Sequence, residues 1–523
     1  MRYRLGIDVG GTNTDAVLLN EQGRIVSMIK TPVTPDVIGG ISHAVQRLLD
    51  RTRIPPQNIT YAMLGTTQIT NAIIERKGLT RVGIIRLGAP ATRAIPPLVD
   101  WPADLREKVE GPYAVLPGGV EYDGRVISPF DPVAVRETVR SFRGRVQAFA
   151  VISVFAAVRD EDELATAEII AEEVGPGTPV SLSHHIGSLG LLERENATIL
   201  NAAVAPVARH IAVAFQEALK QLGIKARLFL SQNDGTLMEL ETALHYPILT
   251  IACGPTNSMR GAAFLSGLRD AIVIDVGGTS TDVGVLLSGF PRESALAVEI
   301  GGVRTNFRMP DLISIGLGGG SVVHVARDTS TIRIGPESVG YRLMQEALCF
   351  GGKTFTMTDV AVARGMAVLG KRNRVTIVPE VIERAFRQGI TMLEQAIDRI
   401  KLSAQDVPVV AVGGGSILLP GRMIGISQVY RPKYFEVANA IGAAIAQVSG
   451  TIDHIFSLER QSREEAFQQA RQAAIVEALK AGADPTMLSV IDVDEIPLAY
   501  LPGNAVRIKV KVAGNLSSKE TRQ

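Results

Sequence analysis

An α/β fold in two related lobes is predicted by three observations. A nine-residue phrase occurs twice, as Ile7-Asp8-Val9-Gly10-Gly11-Thr12-Asn13-Thr14-Asp15 and as Ile274-Asp275-Val276-Gly277-Gly278-Thr279-Ser280-Thr281-Asp282, the copies differing only where Asn13 becomes Ser280. Apolar β-rich runs alternate with stretches of helical period along much of the chain. Its 523 residues exceed what one core supports and suggest two to four domains. The expected division is an N-terminal lobe over 1–195, a second lobe over 196–455 and a small C-terminal α/β appendage over 456–523.

Each copy of the phrase reads as strand, turn, strand. Residues 4–9 and 271–276 are β-rich, the Gly pair allows positive φ, and 16–19 and 283–287 resume the strand. Such a tip suits phosphate and metal. Glycines let backbone N–H groups approach an anion, Thr hydroxyls add donors, and an Asp at the strand end can hold Mg²⁺ through water. One copy alone reads better as an ordinary Gly-rich turn. Recurrence at half-chain distance is what a duplicated domain with a ligand between its halves produces.

Between the copies, 36–51 has helical spacing, 61–64 reads as a buried strand, and Gly65-Thr66-Thr67-Gln68 leads into a helix reaching Arg76, either as a ligand contact or as a helix cap. A strand over 82–87 precedes a Pro- and Gly-rich stretch, 89–129, that predicts an irregular insertion. A helix over 131–142, a strand over 148–155, a helix to Val174 opened by an Asp160/Glu163 capping box, and a strand over 180–183 follow. His184 and His185 come next; as strand neighbours they point to opposite faces, which leaves a pocket role or ordinary structure ahead of shared metal ligation. One long helix over 196–222 is expected to connect the lobes. A strand over 226–231 ends in Gln232-Asn233-Asp234-Gly235, a polar turn where α/β proteins bind ligands. Cys253, ahead of a helix over 259–265, is open to reading as a nucleophile or as an inert buried thiol.

After the second copy, strands run into Gly316-Leu317-Gly318-Gly319-Gly320-Ser321 and into Gly413-Gly414-Gly415-Ser416, turns against whose bare backbone flat or anionic groups can lie. Gly351-Gly352-Lys353-Thr354 is not a P-loop, because the required first glycine falls at Ala347. A helix over 462–481, strands over 490–496 and 504–512, and a disordered end over 517–523 complete the reading. A net charge of +1 gives no electrostatic case for nucleic acid. The longest apolar stretch, 146–158, is too short to span a bilayer. With only Cys253 and Cys349 there is no disulfide framework, and with no secretory signal a cytoplasmic location is expected.

The paired hairpins and Val412-Gly413-Gly414-Gly415-Ser416 resemble the two phosphate motifs and the adenosine motif of the superfamily of actin, heat-shock chaperone ATPases and sugar kinases, whose lobes are duplicated ribonuclease-H-like domains. More narrowly, nearly the whole chain resembles the hydantoinase/oxoprolinase family, in its hydantoinase A-type subunit. The similar stretches are 8–15, 274–282, 315–321, Gly335-Pro336-Glu337-Ser338-Val339-Gly340, Thr356-Met357-Thr358-Asp359 and 410–416, with tail segments 481–485 and 497–504. The resemblance implies ATP and Mg²⁺, and ring opening of a cyclic amide such as a hydantoin or 5-oxoproline through phosphorylation of the amide oxygen. It also implies a second, hydantoinase B-type subunit or a homo-oligomer. Asp8 and Asp275 become the Mg²⁺-side carboxylates. Asp15 and Asp282 steer the attacking group or brace the hairpins. Gly10, Gly11, Thr12, Asn13, Thr14, Gly277, Gly278, Thr279, Ser280, Thr281, Gly318, Gly319, Gly413, Gly414, Gly415 and Ser416 hold the nucleotide. A small-molecule kinase, an ATP-using carboxylase subunit and a nucleotide switch are the alternatives on this fold.

Overall fold

The computed structural model describes residues 2–34, 37–187, 189–294, 298–307, 309–326, 331–459, 461–499 and 503–517. Asp36, residues 500–502 and the end over 518–523, on which parts of the expected first helix, tail motif and disordered terminus fall, lie outside them. The chain is α/β. Among the described residues a nine-stranded sheet runs, edge to edge, through Ala483–Pro497, Ala505–Leu516, Val448–Ser457, Leu237–Glu239, Arg227–Ser231, Ile59–Thr66, Tyr3–Val9, Asn13–Asn20 and Ile25–Pro32. A six-stranded sheet is built on Ala271–Val276, flanked by Thr281–Leu287 and Val407–Val412. A four-stranded parallel sheet combines Glu110–Pro117, Val82–Ala89, Ala148–Ser153 and Val180–Leu182.

The sheets do not follow the expected boundaries at 196 and 456. Arg227–Ser231 pairs in parallel with Ile59–Thr66. Val448–Ser457 and the two C-terminal strands extend that same sheet, so the last segment is its continuation and not an appendage. The reason is packing. Ala466, Ala470, Ala474 and Ala478 form an i, i+4 stripe on the Arg463–Lys480 helix and share one core with Met63, Phe229 and Val448.

Three local expectations change as well. The 89–129 stretch holds a helix, Ala103–Val109, and a parallel strand, Glu110–Pro117, whose half-exposed edge position leaves no alternating pattern to detect. The helix expected over 196–222 is two helices, Leu191–Ala203 and Ala205–Gln221, bent by 48°. Pro206 lacks the N–H that would continue the first helix. Their buried faces, including Ile199, Leu200, Ile211 and Phe215, belong to the core under the first sheet, so they do not connect lobes. Among the described residues no single helix is long and apolar enough to cross a membrane.

Two helices lie between the large sheets and cross at unusually close range. Cys253–Ser266 packs beneath the second hairpin and Ala438–Ile445 beneath the first. A Cβ on Gly261 would overlap the Ala438 carbonyl, and one on Gly442 the Asn257 carbonyl, so the crossing requires glycine on both sides. It sets the distance between the two hairpins. An ion-pair cluster, Glu293 with Lys509 and Lys511, ties the strand region after the second hairpin to the C-terminal strands of the first sheet.

Candidate functional site

The two copies of the repeated phrase fold alike. Tyr3–Val9 and Asn13–Asn20 form an antiparallel hairpin that pairs Asp8 with Asp15; Ala271–Val276 and Thr281–Leu287 pair Asp275 with Asp282. Each turn closes on the same bond: Gly10 N–H donates to Asn13 O at 3.0 Å and Gly277 N–H to Ser280 O at 2.9 Å. The tips face one another, since a Cβ on Gly278 would sit 3.1 Å from Thr12 Oγ1. Space is open beside Gly11 and Gly414, where an added Cβ meets nothing within 4 Å.

The likeness extends beyond the hairpins. In both sheets a parallel strand brings a glycine against the first carboxylate. Gly65 lies in register with Asp8, and a Cβ there would fall 2.6 Å from Asp8 Oδ1; a Cβ on Gly413, at the end of Val407–Val412, would overlap Asp275 Oδ1. In both, a crossing helix supplies a polar side chain: Asn439 Nδ2 donates to Asp8 Oδ2 at 2.8 Å, and the Ser258 hydroxyl bonds Asp275. In both, a third strand places a residue opposite the second carboxylate, Lys30 across from Asp15 and Ser314 across from Asp282. Lys30 Nζ pairs with Asp15 at 2.8 Å, and the Ser314 hydroxyl donates to Asp282.

Four acidic side chains in so little water repel one another and resist ionising. Burial, then the Asp15 and Asp275 charges, push the Asp8 carboxyl up to about 7. Burial raises Asp282 to about 6 against the pull of the Ser314 hydroxyl. Asp275 is raised by burial and Asp15 likewise, the latter opposed by Lys30. Asp8 is 4% exposed, and its Oδ1 accepts no hydrogen bond. A buried carboxylate oxygen without a donor, among other carboxylates, is a position a hydrated cation satisfies. Among the described residues no cluster of three or more His, Cys, Asp or Glu forms a complete metal cage. Mg²⁺ needs none, because it takes one or two carboxylates and completes its shell with water and phosphate oxygens.

The remaining expected residues divide by what their polar atoms do. Gly318 N–H donates to Ser321 Oγ and Gly319 N–H to Gly277 O, so these amides brace the second hairpin tip. Thr281 Oγ1 donates to Leu317 O. Gly413 adopts φ +81° and opens the short helical turn Gly414–Leu418 at the edge of the open space; Ser416 Oγ and Thr14 Oγ1 are buried without hydrogen-bond partners. Thr356 and Asp359 form a helix capping box, and Asp359 also accepts from Cys349 N–H at 2.7 Å. Cys253 is buried, and its Sγ lies against the Thr66 backbone. Burial and then the nearby Asp8 push the thiol up to about 12, which leaves it inert.

His184 and His185 are not on a strand. The chain leaves the sheet after Leu182 and makes a turn of 3₁₀ helix, which puts both rings on one side with centroids 3.9 Å apart. Glu163 forms no capping box. Its carboxylate accepts from Ser153 N–H at 2.7 Å and from Ser183 Oγ, and meets His184 Nδ1 at 2.6 Å. Lys30, Ser258, Ser314 and Asn439 are not among the site residues expected from the sequence. Each acts across a strand register or helix crossing, for which no local motif exists.

The scaffold is an open α/β sheet with polar residues gathered at strand ends, the place where sheets of this kind take up ligands. The chain belongs to the hydantoinase/oxoprolinase family. Residues 4–174 match the hydantoinase/oxoprolinase N-terminal region and residues 194–371 the hydantoinase/oxoprolinase domain. It is similar to the caprolactamase subunit alpha of Pseudomonas jessenii, 28% identical over 87% of this chain and 67% of that one. The acetophenone carboxylase gamma subunit of Aromatoleum aromaticum is 27% identical over 69% of this chain and 53% of that one. The chain thus spans about half to two thirds of the length of these relatives. The crystal structure of the ATP-dependent caprolactamase from Pseudomonas jessenii has the same fold, with a TM-score of 0.77 at 21% identity over 99% of this chain and 88% of that chain.

Proposed function

We propose that the chain is an ATP-dependent enzyme of actin-like, two-lobed design that activates the carbonyl oxygen of a small molecule, by preference a cyclic amide such as a hydantoin, 5-oxoproline or a simple lactam, and leads to its ring opening. The observation that carries this reading is the matched environment of Asp8 and Asp275 at two facing Gly-Gly-Thr tips. Two such tips provide donors for a polyphosphate and carboxylates for its Mg²⁺. Nucleotide bound there supplies a phosphoryl group that turns an unreactive amide oxygen into a leaving group. The protein's part is to hold the reacting groups in line and to offset charge. Asp8 and Asp275 hold the hydrated cation, Lys30 draws Asp15 toward its ionised form against the pull of burial, and the Gly413–Ser416 turn receives the flat part of the nucleotide.

A second reading is an ATP-using carboxylase subunit, favoured by the similarity to the acetophenone carboxylase gamma subunit. Both readings begin with activation of a carbonyl oxygen, and both include a partner subunit, as the names of the relatives contain the word subunit. ATP hydrolysis by the purified chain, measured with hydantoin, 5-oxoproline, caprolactam, acetophenone plus bicarbonate, or no addition, tests them. Products are followed by mass spectrometry. Lactam-stimulated ADP release with a ring-opened product supports the first reading. Bicarbonate-dependent turnover of the ketone supports the second. Absence of any MgATP binding overturns both.

A further inference from the structure

A cavity of about 700 Å³ lies apart from the hairpin tips, lined among others by His184, His185, Gln232, Phe307 and His454. Gln232 directly follows the Arg227–Ser231 strand. That strand, Ile59–Thr66 and Tyr3–Val9 are parallel neighbours, so the Gln232 edge of the cavity lies at the same sheet end as Asp8, two strand spacings or about 10 Å from it. Asn257 spans the gap: its Nδ2 donates to Ser231 Oγ at 3.1 Å, and it packs beside Gly65 where Gly65 meets Asp8.

The cavity wall contains a prepared histidine. Glu163 is 0% exposed and sits 2.6 Å from His184 Nδ1. A carboxylate already accepting from a backbone amide and a hydroxyl is placed to take an imidazole hydrogen at Nδ1, and in the neutral ring that tautomer has its lone pair on Nε2. Asp160 Oδ2 stands 3.6 Å from that nitrogen, and the His185 ring packs against its face. Burial and the neighbouring His184 lower His185, which keeps it neutral beside its partner. Hydrogen bonding that fixes the tautomer of a cavity-lining histidine is the arrangement of a proton acceptor.

We propose that this cavity binds a small carbonyl compound bearing an N–H or C–H next to its carbonyl group, and that His184 Nε2 accepts that proton while Glu163 acts as the positioning residue. The proposal rests on the carbonyl activation described above. Its chemistry is shared by lactams and ketones. As the carbonyl oxygen forms its bond to phosphorus, the phosphorus–oxygen bond to ADP breaks and the C=O π pair moves to oxygen. The N–H or C–H pair becomes a C=N or C=C bond, and the proton goes to Nε2. Without an acceptor at that point, an amide would have to carry positive charge in a site with little water.

The test uses the full chain labelled with ¹⁵N-histidine, without nucleotide, and the probes caprolactam, 5-oxoproline, hydantoin and acetophenone at millimolar concentration. At least one probe is expected to shift the His184 Nε2 resonance, and His184→Gln to weaken that probe's binding at least tenfold while MgATP binding is unchanged. Glu163→Gln is expected to move the hydrogen from Nδ1 to Nε2, read directly from the ¹⁵N shifts, and to lower probe-stimulated kcat at least tenfold with little change in KM. If all probes leave the His184 resonance unmoved, or His184→Gln binds the shifting probe like wild type, the proposal is overturned. Failure of the wild-type chain to bind MgATP sinks the nucleotide reading instead, since the histidine result is obtained in its absence.

Discussion

The two hairpins carry nearly the same nine residues, yet they compensate their charge differently. In the first, Asp15 is 1% exposed and ion-paired to Lys30 from the adjacent strand. In the second, the matching strand position holds Ser314, and Asp282 is met by a neutral hydroxyl. Asp8 is held by an amide and Asp275 by a hydroxyl. A repeated motif therefore fixes the shape of a site without fixing its electrostatics. The residues that set the charge come from neighbouring strands and crossing helices, where the halves have diverged. The first half brings a lysine against its second carboxylate, whereas the second half offers it only a hydroxyl.

The strongest way to break this comparison is to remove one carboxylate at a time. Asp8→Asn and Asp275→Asn are each expected to reduce Mg²⁺-dependent ATP turnover at least 1000-fold with the circular dichroism spectrum unchanged. Wild-type turnover in either variant would refute the paired site. Stability should move the other way for Asp8. Its folded-state value of about 7 lies above the ordinary 3.8, as does that of Asp282 at about 6. Protonation therefore favours the folded chain, and this contribution is fully present below pH ~4 and lost as the pH rises through 6 and 7. Without nucleotide or divalent cation, the melting temperature of the wild type should fall over that window. Asp8→Asn should flatten the fall and melt higher than wild type at pH 8, by an amount corresponding to about 2–4 kcal/mol. A wild-type melting temperature that is level or rising from pH 4 to 7 contradicts the assignment.

A sharper contrast comes from the compensating residues. Lys30→Ala strands a buried carboxylate and should cost about 3 kcal/mol at pH 8. Ser314→Ala removes one hydrogen bond and should cost about 1 kcal/mol in urea unfolding. Equal losses would mean that the halves are electrostatically alike after all. The smallest effect is expected at Cys253, whose native thiol should not react with iodoacetamide at pH 8 over hours, while the unfolded chain reacts within minutes.

The hairpins, the α/β alternation and the glycine turns were legible because they rest on local chemistry: Gly-Gly strings, strand composition and apolar period. What escaped notice was set by distance in space. The stretch 196–222 reads as one helix because its apolar period survives the break between Leu191–Ala203 and Ala205–Gln221, while Pro206 carries the signal for the bend. The C-terminal strands gave no sign that they would complete the first sheet, because strand partners far apart in sequence, such as Leu237–Glu239 and Val448–Ser457, leave no mark in the sequence. Glu163 looked like a capping residue by its spacing from Asp160, and burial against Ser183 and His184 outcompeted the helix end.

The most direct test of the central claim, that both hairpins form one nucleotide site, is calorimetric binding of MgATP to the wild type, Asp8→Asn, Asp275→Asn and the double variant at pH 8. One bound nucleotide per chain is expected, each single change weakening it at least tenfold and the double change weakening it by clearly less than the product of the two. Two independent binding events, or strictly multiplicative losses, would show that the hairpins do not share a ligand.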